Sequence, residues 1–253
     1  MSQESASPPD TSSYIHKRKS DWANFMISSE PLPDHWEHWR EDSFDWRPEI
    51  SFFQPVGVDY PEFAERLQPV REALEGMEEI ELPPPAFLHL KTIQIGFLRA
   101  ADLYWSQVET FYVNAAPRIH RIEPFTIQIG GISADNTALY LGVDDSLIFR
   151  ELRRQVALGV PKIDQVFKEA GIGTGEADPF IPQIPFAYFT GKGDRTRIIK
   201  TITPYLEIVL GEYPISHIKM GRIAPDPDIH YPNLDVVAEI ILFGKDHRRG
   251  YHN

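Results

Sequence analysis

Two halves of this chain repeat the same order of predicted elements, and this repeat constrains the fold more than any other feature. The first half opens on a strand-like segment at 87–96, and the second opens on one at 179–188, about ninety residues later. Each is followed by a predicted helix and then two predicted strands. Two such units related by a pseudo-twofold axis place their first strands side by side. The sequence therefore predicts an α+β fold of two pseudo-symmetric strand-helix-strand-strand lobes, whose antiparallel sheets form a concave central cleft.

The periodicity of apolar residues, with Gly and Pro as punctuation, gives the remaining boundaries. Predicted strands lie at 49–58, 87–96, 125–131, 137–143, 180–189, 215–223 and 234–243. Predicted helices lie at 61–74, 100–113, 146–158, 162–170 and 196–210. Within the predicted helix 146–158, the pair Arg153 and Arg154 is interpreted as a solvated helix face.

Four segments are predicted from composition. Residues 1–21 are rich in Ser and Pro and lack a hydrophobic centre, which indicates a disordered tail. Residues 22–48 are rich in aromatic and acidic residues and are predicted to wrap over the core irregularly, although their tryptophans could also stack on bases or meet a protein partner. Residues 49–244 are predicted to form the main domain, and 245–253 a second tail.

Charge and cysteine content narrow the possible functions. The formal net charge is −12, which disfavours wholesale coating of nucleic acid but leaves room for a small phosphate ligand in a locally basic cleft. The chain has no cysteine, which excludes disulfides and thiolate metal sites and fits a reducing compartment. No apolar run approaches the roughly 18 to 20 residues of a membrane span. We therefore expect a cytoplasmic protein without a membrane anchor.

The segment 88–92 reads Leu-His-Leu-Lys-Thr, and 182–188 reads Pro-Gln-Ile-Pro-Phe-Ala-Tyr. These segments, with the flanking segments 124–131 and 139–143, resemble the two-histidine (2H) phosphoesterase superfamily, the group of 2′-5′ RNA ligases and cyclic phosphodiesterases. The resemblance covers roughly 49–244. It implies a hydrolase acting on a cyclic or 2′-5′ linked phosphate, with a nucleotide or RNA end as ligand and no cofactor.

In that superfamily each first strand carries a histidine followed two residues later by a threonine, so both side chains point into the cleft. One imidazole acts as general base and the other as general acid, while the hydroxyls hold the phosphate. Carried over to this chain, the resemblance makes His89 the catalytic histidine. Lys91, Thr92, Gln183 and Tyr188 become the candidates for substrate binding.

This chain departs from the superfamily pattern at three of its four positions. Two residues after His89 stands Lys91, which can hold a phosphate as a point charge, and only a β-bulge would bring Thr92 to the same face. Gln183 replaces the second histidine and cannot exchange a proton near neutral pH. Pro185 replaces the second threonine and offers neither hydroxyl nor amide hydrogen.

Three functions stay open from the sequence. The chain could be a cyclic phosphodiesterase with altered catalysis, in which His217 or His230 could also reach the cleft. It could be a catalytically inactive domain that binds a nucleotide or another phosphate. It could instead be an interaction module that meets a protein partner through its aromatic N-terminal segment. No histidine spacing typical of a metal site is present, so no metal is expected.

Overall fold

The computed structural model describes residues 11–37, 48–97, 103–144, 146–161, 163, 178–224 and 230–245. Its strands, in chain order, are β1 (Glu49–Gln54), β2 (Ile80–Glu81), β3 (Leu90–Phe97), β4 (Phe125–Ala134), β5 (Ala138–Asp144), β6 (Gln183–Phe189), β7 (Val209–Ile215), β8 (His217–Ile223) and β9 (Asp235–Ile241). Its helices are α1 (Thr11–Ile27), α2 (Val56–Asp59), α3 (Pro61–Leu74), α4 (Trp105–Ile119), α5 (Ser146–Gly159) and α6 (Arg195–Ile202).

The strands form two antiparallel sheets. The first has the order β3-β1-β8-β9 and the second the order β2-β6-β5-β4-β7. Every ladder within them is antiparallel. The predicted α+β class with two antiparallel sheets is confirmed.

The two halves of the repeat are interleaved between the sheets. Strand β3 opens the first half, yet it belongs to the sheet completed by β8 and β9 of the second half. Strand β6 opens the second half and pairs with β5 of the first. The two opening strands contact each other across the space between the sheets. The two opening strands, β3 and β6, are therefore adjacent as predicted, but each is hydrogen-bonded within its own sheet.

One apolar core holds these layers together. Phe52 of β1, Leu90 of β3, Ile129 of β4 and Phe186 of β6 are all buried within it. Helices α4 and α5 pack against each other, and their apolar faces join the same core. Burial of one such side chain contributes about 1.5 to 3 kcal/mol, so this shared core is the main stabilising element.

The N-terminal prediction was wrong in part, because residues 11–21 are not a disordered tail. They form most of helix α1, which packs on β4 and β5. Arg18, Trp22 and Phe25 are its buried side chains and recur on one face. The helix was missed because a buried arginine interrupts the apolar pattern that periodicity detects.

The rest of the predicted wrapping segment is described in part. Residues 22–27 continue helix α1, and Trp36 is buried at 6% exposure. This burial counts against Trp36 as an exposed platform for a partner. Residues 38–47, which include Trp39, lie outside the described residues, as does most of the predicted helix 162–170.

Two further boundaries differ from the prediction. Helix α4 begins at Trp105 and continues to Ile119 through Pro117, so the predicted helix 100–113 was placed too early. The predicted helix 196–210 ends at Ile202, and the strand β7 that follows was missed because Gly211 and Pro214 hide its pattern. Among the described helices, none combines the length and apolar character needed to cross a membrane.

Candidate functional site

His89 lies immediately before β3. Together with Phe53 and Phe87 it forms an aromatic surface, called the first wall. The side chain of His89 is buried, and its ring meets those of Phe87 and Phe53 edge-on, with centroids 5.2 Å and 5.8 Å away. Its Nδ1 lies 2.6 Å from the carbonyl oxygen of Phe87. Because a carbonyl only accepts hydrogen bonds, Nδ1 carries the proton in the neutral ring and Nε2 holds the lone pair. Nε2 is therefore the atom that His89 can offer to a ligand.

The protonation state of His89 follows from its surroundings. Burial lowers its pKa to about 4, and the charge of Lys91 acts in the same direction. The hydrogen bond to Phe87 and the charge of Glu49 oppose this shift only partly. The imidazole is therefore neutral at neutral pH. It can accept a hydrogen bond or a proton, but its Nε2 has no proton to give as an acid.

Lys91 stands opposite Phe53 in the ladder between β1 and β3, and its side chain is 40% exposed. Its Nζ lies 3.0 Å from Oε2 of Glu49, whose side chain is only 2% exposed. Glu49 also accepts a hydrogen bond from Ser51. An ammonium has three donors, so Lys91 can bind an anion while it keeps Glu49. The local net charge of the pair is zero, however, which weakens its attraction for a phosphate.

Thr92, which the sequence made a candidate for substrate binding, lies apart from this wall. Lys91 pairs with Phe53 and Ile93 pairs with Phe52, so Thr92 is an extra residue in β3 and forms a β-bulge. The side chain of Thr92 is buried, and its hydroxyl has no hydrogen-bond partner in the part of the chain that is described. The bulge thus leaves Lys91, and not Thr92, on the exposed side of the strand.

Gln183 opens β6, which contacts β3. The part of β6 that begins with Gln183 and Pro185 is called the second wall. Gln183 pairs with Gly142 of β5, while Pro185 pairs with Tyr140. Its Nε2 donates to Oδ2 of Asp135 at 3.0 Å. The amide is therefore held by an acidic group, and it can hydrogen-bond a ligand through its remaining atoms but cannot transfer a proton.

Helix α1 covers this second wall. A Cβ on Gly142 would overlap the Tyr14 ring of α1, and the Tyr140 hydroxyl donates to Oδ2 of Asp21 at 2.7 Å. Directly paired residues share one face of a sheet. The partners of Gly142 and Tyr140 on β6 are Gln183 and Pro185. These two residues therefore lie on the face of the sheet that α1 covers.

Tyr188 connects the two walls through stacked rings. Its ring stacks on His35 at 4.0 Å and on Tyr231 at 5.5 Å between centroids. Tyr231 in turn lies 4.9 Å from Phe87, which contacts His89. Burial raises the pKa of Tyr188, and the charges of nearby acids act in the same direction. Its phenol therefore stays protonated and can serve as a hydrogen-bond donor.

The other histidines considered from the sequence make separate contacts. His217 Nδ1 lies 2.7 Å from the hydroxyl of Ser216, and its Nε2 lies 3.3 Å from Glu239. His230 contacts Glu81. The ring of His230 also lies 6.4 Å from that of Tyr231, so His230 borders the stacked rings of Tyr188 and Tyr231. Within the described residues, no group of three His, Cys, Asp or Glu side chains is arranged to hold a metal ion.

A cavity of about 690 Å³ lies beside the second wall, between α1 and the turn that joins β4 to β5. Lys17 and Arg195 line it together with Asp21, Glu30 and Asp135. It does not include His89 or Lys91. Its mixed charges do not favour an anion, so the wall formed by β3 remains the better candidate for a phosphate.

Sequence reasoning missed two charged neighbours of the candidate site. Glu49 was read only as the start of a strand, although a carboxylate at the head of an apolar strand signals a buried partner. Arg153 was read as solvated, but its side chain is 11% exposed and forms an ion pair with Asp178. The spacing of Arg153 on its helix gave no sign of this, because the partner lies in a different segment.

Comparison with known proteins supports the fold. No family model and no curated protein matches the chain. Among solved structures, TT0787 of Thermus thermophilus is 18% identical with a TM-score of 0.53, covering 79% of this chain and 99% of its own. E. coli LigT, solved with ATP, is 14% identical with a TM-score of 0.53, covering 78% and 98%. ATU0111 of Agrobacterium tumefaciens is 10% identical with a TM-score of 0.52, covering 89% and 99%.

These likenesses show that the chain has the fold of LigT and of a further structure described as a phosphoesterase. The 2H phosphoesterase resemblance is confirmed at the level of fold.

Proposed function

We propose that this protein binds a small phosphorylated ligand, such as a cyclic or 2′-5′ linked nucleotide or an RNA-end phosphate, with strongly reduced catalysis. The observation that carries the proposal is the asymmetry of the two walls. One wall offers a neutral imidazole with its Nε2 lone pair and a lysine beside it. The other offers the amide of Gln183, which is hydrogen-bonded to Asp135.

This asymmetry separates binding from turnover. A lysine and hydrogen-bonding groups suffice to hold a phosphate. General acid-base catalysis needs a second proton-transferring group, and each such group is worth about 10²- to 10⁴-fold in rate. Helix α1 also lies on the face that carries Gln183 and Pro185. The second wall is thus both chemically unsuited to proton transfer and partly covered.

The solved structures of LigT give the choice of ligands for a test. That protein was crystallised with ATP, NADP+, phosphate and 3′-AMP. For this chain we infer the shared chemistry, a phosphate attached to a nucleoside, and not any one of those molecules.

Isothermal titration with 3′-AMP and 2′,3′-cyclic AMP tests the binding. We expect measurable affinity for the wild type and a loss of about tenfold in Lys91→Ala, since one charge-assisted contact is worth about 1.5 to 3 kcal/mol and Glu49 offsets part of it. Lys200→Ala, an exposed lysine on α6, is the matched control and should bind as the wild type does. Absence of binding to both nucleotides, or equal affinity in Lys91→Ala, would contradict the proposal.

Hydrolysis of 2′,3′-cyclic AMP tests the second half of the proposal. We expect a slow rate that His89→Ala abolishes. A rate that is unchanged in His89→Ala would remove His89 from the chemistry. A complete lack of hydrolysis with retained binding would favour the alternative of a purely binding domain on the same fold.

A further inference from the structure

Arg153 on α5 joins two segments that lead into the two walls of the cleft. Its Nε lies 2.6 Å from Oδ2 of Asp178 and its Nη2 lies 3.4 Å from Oδ1. Its Nη1 donates to the carbonyl oxygen of Thr92 at 2.8 Å. Asp178 precedes β6 by five positions, while Thr92 lies within β3. A single guanidinium is therefore bonded to both sides.

This ion pair is buried and firmly held by its surroundings. The side chain of Asp178 is 1% exposed and that of Arg153 is 11% exposed. The guanidinium also lies over the ring of Phe180, 4.3 Å from its centroid. Such a paired and stacked guanidinium fixes its own geometry, because a buried charge without these contacts would be strongly unfavourable.

The carbonyl that Arg153 binds belongs to the extra residue of the bulge. The extra residue of a bulge is left out of the regular ladder, and its buried backbone groups need another partner. Arg153 supplies a charged donor to the Thr92 carbonyl. The ion pair therefore stabilises the bulge itself.

The bulge decides which way Lys91 points. In a regular strand, residues two apart share a face, so Lys91 and Ile93 would lie together. With the bulge, Lys91 pairs with Phe53 and is half exposed, whereas Ile93 pairs with Phe52 and is buried in the main core. A slip of one residue would either bury the lysine or expose the isoleucine.

We propose that Arg153 and Asp178 are positioning residues that hold the bulge at Thr92 and so present Lys91 to the cleft. The inference rests on the proposed function, because it assigns these residues a role in phosphate binding through Lys91. Neither side chain is expected to touch the ligand.

A double-mutant cycle tests the inference with titrations of 3′-AMP. Arg153→Lys keeps the charge but cannot bond both Asp178 and the Thr92 carbonyl as a guanidinium does. We expect Arg153→Lys to weaken binding of 3′-AMP about fivefold. Adding Lys91→Ala to this variant should then weaken binding much less than Lys91→Ala does in the wild type, since the effects of coupled residues are not additive. Arg154→Lys is the matched control on the same helix, because Arg154 pairs with Glu151 at the surface, and it should leave affinity unchanged.

Backbone hydrogen exchange provides a readout that does not depend on the ligand. Relative to the wild type, we expect Arg153→Lys to speed the hydrogen exchange of the amides of 90–94. The amides of β4 and β5 should exchange at the wild-type rate. If Arg153→Lys proves too unstable to purify, Asp178→Asn carries the same test, because it keeps the size of the side chain but removes the charge and replaces one of the two oxygens that accept from Arg153 with a donor.

The outcomes separate the two proposals. Failure of the wild type to bind 3′-AMP would refute the proposed function, while selective exchange at the bulge would still show the structural role of the ion pair. Binding that depends on Lys91 but is unchanged in both Arg153→Lys and Asp178→Asn would overturn the positioning role and leave the proposed function intact. Fully additive effects of Lys91→Ala and Arg153→Lys would overturn it as well.

Discussion

The side chain of His89 shows how burial sets the chemistry of a single residue. Its ring is enclosed by Phe53 and Phe87, and this enclosure lowers its pKa from 6.5 to about 4. The unfolded chain therefore takes up the proton first when the pH falls. The stability associated with a neutral His89 is complete above about pH 6.5 and is lost as the pH falls from there toward 4.

A His89→Gln variant should lack this pH dependence. Between pH 7.5 and 4.5 we expect the wild type to lose about 2 to 3 kcal/mol more unfolding free energy than the variant, because only the wild type buries this titrating group. Urea unfolding followed by circular dichroism at both values measures it. The values at pH 7.5 are the control, since both side chains are neutral there. An equal loss in both proteins would show that His89 is not buried as described.

The pair of Lys91 and Glu49 makes a second prediction at this scale. Glu49→Gln keeps the shape of the side chain but removes the charge that offsets Lys91. We expect affinity for 3′-AMP to rise about two- to fivefold, in keeping with the modest worth of an ion pair whose ammonium is half-exposed.

The same substitution in a Lys91→Ala background is its control. There the gain should shrink markedly, because the lysine that Glu49 offsets is missing. A lower affinity in Glu49→Gln alone would mean that Glu49 orients Lys91 more than it neutralises it.

Among the elements, helix α1 is the one that covers the second wall. Its docking is specific, because Arg18 donates to the carbonyl of Leu206 at 2.7 Å and the Ser133 hydroxyl donates to the carbonyl of Arg18 at 2.8 Å. Two glycines make room for it. A Cβ at Gly142 would overlap Tyr14, and one at Gly131, which also has φ of +70°, would overlap Arg18.

Gly142→Ala should therefore detach α1 from the sheet. An added methyl in a filled contact costs about 1 to 3 kcal/mol, so trypsin should cut at Lys17, Arg18 or Lys19 roughly tenfold faster. Mass spectrometry of timed digests locates the cuts. The double variant with Tyr14→Ala restores space and should recover much of the protection. Unchanged cleavage in Gly142→Ala would mean that the sheet tolerates the methyl and that α1 is held elsewhere.

The elements also show where a sequence prediction meets its limit. The helices 61–74 and 146–158 and most strands were predicted close to their observed bounds, because apolar residues recur on their buried faces. Helix α1 and strand β7 were missed, because a buried arginine and two backbone-breaking residues obscure the pattern. The face that α1 covers was not predictable, since it depends on contacts between residues more than a hundred positions apart.

At the scale of the whole molecule, the two halves exchange their opening strands. The sheet that contains β3 is completed by β8 and β9, and β6 completes the sheet begun by β4 and β5. Neither half can pair all its own strands without the other. The apolar core likewise draws on both sheets.

We therefore expect a single cooperative unfolding transition for the full chain. Tryptophan fluorescence and far-ultraviolet circular dichroism in urea should give coincident curves. Fragments 48–163 and 178–245, prepared separately, should each lack a cooperative transition, because each loses sheet partners. A cooperative transition in fragment 48–163 alone would show that the first half folds independently and would contradict this interpretation.

The α+β class, the repeat and the residues at the head of each opening strand could be predicted from the sequence, because they depend on local periodicity and on the order of the side chains. The sequence also determined that Gln183 and Pro185 cannot supply acid-base chemistry. The exposure of Lys91 in place of Thr92, the charge of Glu49 beside it, the contact of Arg153 with the bulge and the position of α1 on the second wall became visible only in the folded chain. These features arise from contacts between distant segments, whose energies no local pattern records.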